Sequence, residues 1–296
     1  MNQGRHNSVF LGAGIVALAC AAESPSAIAA PTIYLRSDYS TDNGLFAPTD
    51  AAGTATTGTS TSQLDVANFA SATADASAGS VGIGMATTLP DGSPVSASAV
   101  ARIVDDWVPC PTCLITVDLA PVTFNMHFDG TLSAAWLATH AISGESNDFT
   151  GSFAVSGDTL DFAWDGTKLA GTFCNGSPTP TCAPFTFAST TLADGSLSFD
   201  DDVSFTGTLT PVAFSTELML SAGWDTSHQP ATLAFLHTFK FNIVSSDPDL
   251  VWVSDAGQVT QVSGSVSAVP EPGTAPLVSL GLLLIAPLVR NGRRRG

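Results

Sequence analysis

The chain has 296 residues, of which only 12% are charged, and it is rich in Gly, Ala, Ser and Thr. Few long side chains are available for the Lys/Glu-laced surface of a helical protein, so the composition favours strands and turns. Between Ala30 and Val269 four basic residues (Arg36, Arg102, Lys168, Lys240) face 24 acidic ones, a formal charge of −20 that argues against nucleic acid or anionic lipid as a partner.

In chain order, the first feature is Arg5 and His6 followed by an apolar run over residues 9–22, a polar Glu23-Ser24-Pro25-Ser26 and the small residues Ala27-Ile28-Ala29-Ala30. This is the layout of a secretory signal peptide, which makes signal peptidase a transient partner. Cleavage after Ala29 puts small residues at both recognition positions, Ala27 and Ala29, and leaves Ala30 as the mature start. Cys20 follows Ala17-Leu18-Ala19, which only loosely matches a lipoprotein box. Residues 1–29 are therefore assigned to the signal peptide.

Residues 30–62 form a low-complexity N-terminal segment. From residue 40 onward they are almost entirely Thr, Ala, Gly, Ser and Asp, with little to bury, and are expected to be a loop or a loosely held edge. Residues 63–268 are expected to be one β domain. Stretches such as Val95-Ser96-Ala97-Ser98-Ala99-Val100-Ala101 alternate apolar with small residues, as closely packed strands do. From Phe124 onward the period-two pattern is plain. Phe124, Met126 and Phe128 share one face and Asn125, His127 and Asp129 the other; Leu160, Phe162 and Trp164 line up, as do Val203, Phe205 and Leu209. The longest such face runs Leu233, Phe235, His237, Phe239, Phe241, Ile243. Turn pairs such as Gly157-Asp158, Asp165-Gly166 and Asp194-Gly195 separate the stretches. The expected fold is all-β, an antiparallel β-sandwich of jelly-roll or Ig-like kind.

Four cysteines follow the signal peptide. An even number in an exported chain reads as two disulfides. Cys174 and Cys182 flank a Gly/Pro-rich stretch that reads as a hairpin, which makes Cys174–Cys182 the preferred bond. Cys110–Cys113 then follows by elimination, with crossed pairings still open. A redox role for the latter pair lacks a surrounding βαβ unit.

The histidines His127, His140, His228 and His237 show no HxxxH or HxH spacing, and His237 sits on an apolar strand face as a core residue would. No catalytic or nucleotide-binding motif occurs, so the expectation is a non-enzymatic chain without a cofactor. Asp105-Asp106 and Asp200-Asp201-Asp202 are the acidic clusters to weigh as glycosidase carboxylates or, for Asp200, Asp201 and Asp202, as calcium ligands. Adjacent strand residues point to opposite faces, so neither run forms a site alone. Trp136 and Trp164 read as core. Trp107, beside acids, and Trp224, in Gly223-Trp224-Asp225, are the two rings weighed as ligand-facing, for stacking on a sugar, against core or edge packing.

The last segment, residues 269–296, carries three parts in order: Pro270-Glu271-Pro272, an apolar run over residues 276–289, and the basic residues Arg290, Arg293, Arg294 and Arg295. The Pro-Glu-Pro segment is extended and cannot join a helix, while the arginines hold the tail on the cytoplasmic side as a stop-transfer cluster. Fourteen helical residues span about 21 Å against a hydrocarbon core of roughly 30 Å, and Pro287 interrupts them, so a single hydrophobic helix here suits a transient inner-membrane anchor.

This tail resembles the PEP-CTERM sorting signal of Gram-negative bacteria that make extracellular polysaccharide. The resemblance covers about the last 28 residues. It implies a signature triplet at Pro270, Glu271 and Pro272. It also implies processing by an exosortase, a membrane-embedded cysteine protease-transferase, and delivery to the cell surface or extracellular matrix. The expected function is that of an exported surface or matrix protein, structural or adhesive and associated with biofilm or exopolysaccharide. The alternatives are a carbohydrate-binding module and, after it, a secreted glycoside hydrolase.

Overall fold

The computed structural model describes residues 30–41, 44–65, 67–88, 95–109, 120–139, 146–176, 181–210, 212–226, 231–247 and 250–262. The signal peptide, the sorting tail with its apolar run, and the Cys110–Cys113 pair lie outside the described residues, as do His140, His228 and the side chain of His237. Among the described residues no helix is long and apolar enough to cross a membrane.

Nearly all of the described chain is antiparallel strand, organised in two sheets. The first sheet runs in the order β11(Cys182–Thr186), β10(Leu169–Cys174), β9(Asp158–Trp164), β8(Ser146–Val155), β14(Phe214–Thr226), β6(Val95–Pro109), β1(Thr32–Thr41), β2(Gly44–Gly53), with the short β16(Trp252–Ser254) also on β6. The second runs β12(Ser189–Thr191), β13(Leu197–Leu209), β7(Ala120–Leu132), β15(Ala231–Ser245), β5(Ser80–Thr87), β4(Asn68–Asp75), β3(Thr57–Asp65), with β17(Gln261–Val262) parallel to β15. Their inner faces pack together as a β-sandwich-like pair, in agreement with the period-two pattern.

The alternation read from sequence is the alternation of burial. Phe124, Met126 and Phe128 are buried while Asn125, His127 and Asp129 are half-buried on the outer face, and Leu233, Phe235, Phe239, Phe241 and Ile243 are buried together. An irregularity on β15 between Phe235 and Phe239 sets four residue steps on that strand against two on β5. Because both counts are even, the core face is kept across the irregularity.

The interior differs from one side to the other. Around β1, β4 and β6 the buried residues include many small ones, Ala70, Ala72 and Ala74 on β4 and Ala97, Ala99 and Ala101 on β6. Cα atoms of β4 and β6 come within 8 Å, closer than the roughly 10 Å usual between stacked sheets. Around β7, β8, β9 and β15 the gap is filled by rings instead, with Phe128 4.8 Å from Phe187, 5.1 Å from Phe235 and 5.6 Å from Phe162. Residue size thus sets the local thickness of the sandwich.

Residues 40–62, expected as a loop or loose edge, form regular structure: they complete β1 and supply β2 and most of β3. The edge position is as expected and the loop is not. Strand pairing holds them, since β2 ladders onto β1 and β3 onto β4. Inter-sheet hydrogen bonds join this side: the hydroxyls of Ser37 and Ser60 lie 3.0 Å apart, and the Tyr39 hydroxyl donates to Thr87 Oγ1 at 3.4 Å. Residues 54–56 carry the chain from the edge of one sheet to the edge of the other. On the opposite side Phe187 and Ala188 do the same between β11 and β12, with Phe187 buried at the corner. Both lateral seams are thus crossed covalently by two or three residues, which limits the access of a foreign strand to these edges.

The Cys174–Cys182 bond is present, with sulfurs 2.11 Å apart across the β10–β11 pair. The hairpin expected from the Gly/Pro-rich stretch is the one it closes. One short helix, α1(Ala134–Thr139), was not foreseen; Ser133 caps it by accepting the Trp136 N–H at 3.2 Å, and Trp136 is buried as expected.

Candidate functional site

Both tryptophans weighed as ligand-facing are buried, which corrects that expectation in favour of core packing. Trp107 is 1% exposed and Trp224 3%. Each occupies an inward position of its strand's alternation: Val95, Ala97, Ala99, Ala101, Ile103 and then Trp107 on β6, and Leu218, Leu220, Ala222 and then Trp224 on β14. Trp107 Nε1 donates to Thr216 Oγ1 at 3.0 Å, and the ring stacks on Phe214 at 5.9 Å. Neither ring presents a face to a sugar.

The same alternation turns Asp105 inward, between Ile103 and Trp107, and Asp106 outward. Asp105 Oδ1 accepts the Ala256 N–H at 3.2 Å, and Oδ2 is buried without a hydrogen-bond partner. Burial pushes this carboxyl up to about 6; the Ser254 side chain and Ala256 N–H pull the other way, while Asp255 and Asp106 add to the rise. Asp255 is itself raised, by burial and by Asp106. Asp158 is raised by burial against a hydrogen bond from Gly176 N–H, 2.6 Å from its Oδ1. Asp105 and Asp158 are carboxylates in structural positions, each tying a loop to a strand.

The calcium candidates do not converge. On β13 Asp201 points toward the inner side, where its Oδ2 accepts the Ala188 N–H at 2.7 Å, whereas Asp200 and Asp202 point outward. Among the described residues no group of three or more His, Cys, Asp or Glu side chains is arranged to hold a metal ion.

Structure brings together instead a set that sequence reading left scattered. On the outer face of the second sheet, β13, β7 and β15 align side chains in rows. One row is Ser204, Asn125 and Asn242; the next is Asp202, His127 and Lys240. Ser204 Oγ donates to Asn125 Oδ1 at 2.7 Å, and Asn125 Nδ2 donates to Asn242 Oδ1 at 3.1 Å. His127 lies between two carboxylates, with Nδ1 3.0 Å from Asp202 Oδ1 and Nε2 3.3 Å from Asp129 Oδ2. Gln258 and Gln261, from the segment carrying β17, and Ala78 wall the rows on one side. The resulting open cleft has a volume of about 440 Å³. Gln258 is fixed by donating from Nε2 to the Ala76 carbonyl at 2.6 Å. The outward face Asn125, His127, Asp129 was legible from alternation; the contribution of Asp202, Lys240 and Asn242 depends on cross-strand register, which no local pattern encodes.

Comparison with protein families, curated proteins and solved structures finds no match for this chain.

Proposed function

We propose that this chain is an exported, non-enzymatic surface or matrix protein of a Gram-negative bacterium, delivered by signal peptidase and an exosortase and built around a β-sandwich ectodomain of jelly-roll or Ig-like kind. The observation that carries the reading is the tail: Pro270-Glu271-Pro272, an apolar run too short for comfortable permanent residence in a bilayer, and four arginines at the end. The ectodomain's properties suit the role. A formal charge of −20 on the exported part and covalently crossed sheet seams both oppose aggregation at high local concentration.

Fractionation of the producing cells tests this reading. The protein is expected at the cell surface or in the matrix of wild-type cells and in the inner membrane of cells lacking the exosortase. The same distribution in both strains contradicts it.

A second reading, a carbohydrate-binding module associated with exopolysaccharide, is favoured by the polar cleft on the second sheet rather than by Trp107 and Trp224.

A further inference from the structure

We propose that the outer face of β13, β7 and β15 is a binding site for a neutral, hydroxyl-rich saccharide, held by Asn125, Asn242 and Lys240 and walled by Gln258 and Gln261. The inference rests on the carbohydrate-binding reading and gives it a place.

Three features of the cleft select the ligand class. The first is charge. Asp202 and Asp129 flank His127, and the Lys240 ammonium stands opposite it in the ladder, so cationic and anionic groups are interspersed. A metal cation needs several carboxylates converging on one point, whereas these two contact opposite nitrogens of one imidazole. A polyanion needs a cluster of positive charge, whereas Lys240 is the only Lys or Arg among the described residues of the lining.

The second is hydrogen-bonding character. Four of the lining side chains are amides: Asn125, Asn242, Gln258 and Gln261. Each amide both donates and accepts, as a hydroxyl does, so a floor and wall lined with them match a ligand carrying hydroxyls on adjacent carbons. The row is pre-oriented, because Asn125 spends its oxygen on Ser204 and a donor on the Asn242 oxygen. That arrangement leaves the Asn242 NH2 group for a ligand.

The third is form. The cleft is open and lies along three paired strands, so successive side chains of a row are spaced by the strand separation of about 4.8 Å. An extended chain of sugar rings can lie across such a floor. An enclosed pocket would accept only a single small molecule.

The test uses the full chain as the cell exports it, applied to an array of neutral and uronate-containing glycans, together with Lys240→Gln and Asn242→Ala variants. Both substituted side chains are exposed, so the sandwich is expected to fold, with near-ultraviolet circular dichroism unchanged. Asp161→Ala, exposed on the outer face of the other sheet, is the control. The expected result is retention of neutral glycans, reduced at least tenfold by each cleft variant and unchanged by the control. Retention that survives both cleft variants overturns this site while leaving the carbohydrate-binding reading standing. No retention by the unsubstituted protein, or a preference for uronate glycans, overturns the proposal itself, the former together with that reading.

Discussion

Asp105 on β6 accepts the backbone N–H of Ala256 at 3.2 Å from a site that is 1% exposed. One carboxylate thus fastens the last hairpin of the described chain to the first sheet. Burial raises this group from 3.8 to about 6. A carboxyl raised in the folded state favours folding fully below its unfolded value, and that contribution is lost as pH rises through about 6. The ionised group then destabilises the fold at neutral pH by ~1–3 kcal/mol. Asp105→Asn keeps the acceptor for Ala256 and removes the charge. The variant is expected to unfold at higher urea concentration than the parent at pH 7.5 and at a similar concentration at pH 4, as followed by tryptophan fluorescence. An equal urea midpoint for the two proteins at pH 7.5 contradicts the assignment.

Trp107→Ala and Trp224→Ala remove rings that are packed in the core, so their effect is on stability. Each is expected to cost about 3–5 kcal/mol. Trp107→Ala also removes the indole N–H that the Thr216 hydroxyl accepts, leaving that hydroxyl its bond to the Asp105 carbonyl. Thermal unfolding followed by circular dichroism checks this, and a melting temperature unchanged within a degree or two, ~1 kcal/mol at most, contradicts the buried placement.

Gly151 on β8 stands directly opposite Phe162 on β9, whose ring occupies the space a Cβ would need. Gly151→Ala is expected to destabilise by about 1–3 kcal/mol, through displacement of that ring from the Phe128 and Phe187 cluster. Phe162→Leu in the same chain makes room, so the two changes together are expected to cost less than their sum. Strict additivity in urea unfolding contradicts the contact.

The disulfide closes a loop between residues eight apart. Replacing Cys174 and Cys182 together with Ala is expected to lower stability by about 2–3 kcal/mol. Hydrogen exchange should localise the loss to β10 and β11. Uniformly increased exchange across both sheets contradicts a local role.

What the sequence disclosed follows from which interactions are local. Alternation is a property of one strand, so the faces carrying Phe124, Met126 and Phe128 were readable without knowing any neighbour. The Cys174–Cys182 bond was readable because both cysteines border one hairpin. Trp107 and Asp105 were misjudged or left open because their polar neighbours in sequence suggested solvent. Continuing the β6 alternation from Val95 to Ile103 reaches both of them on the inner face. The strands within residues 40–62 were not legible because Thr, Gly, Ala and Ser there give no apolar alternation, and pairing with β1 and β4 supplies the ladder. The cleft was invisible for the same reason: His127 meets Asp202 only through the β7–β13 register, and Lys240 only through β15.

The proposal that residues 269–296 are a sorting address removed on delivery is tested most directly by mass spectrometry of the mature C-terminus in cells with and without the exosortase. The expected C-terminus lies near Pro270-Glu271-Pro272 in cells that have the enzyme, and an intact tail ending in Arg293-Arg294-Arg295-Gly296 is expected in cells that lack it. An intact arginine tail in both strains would contradict it.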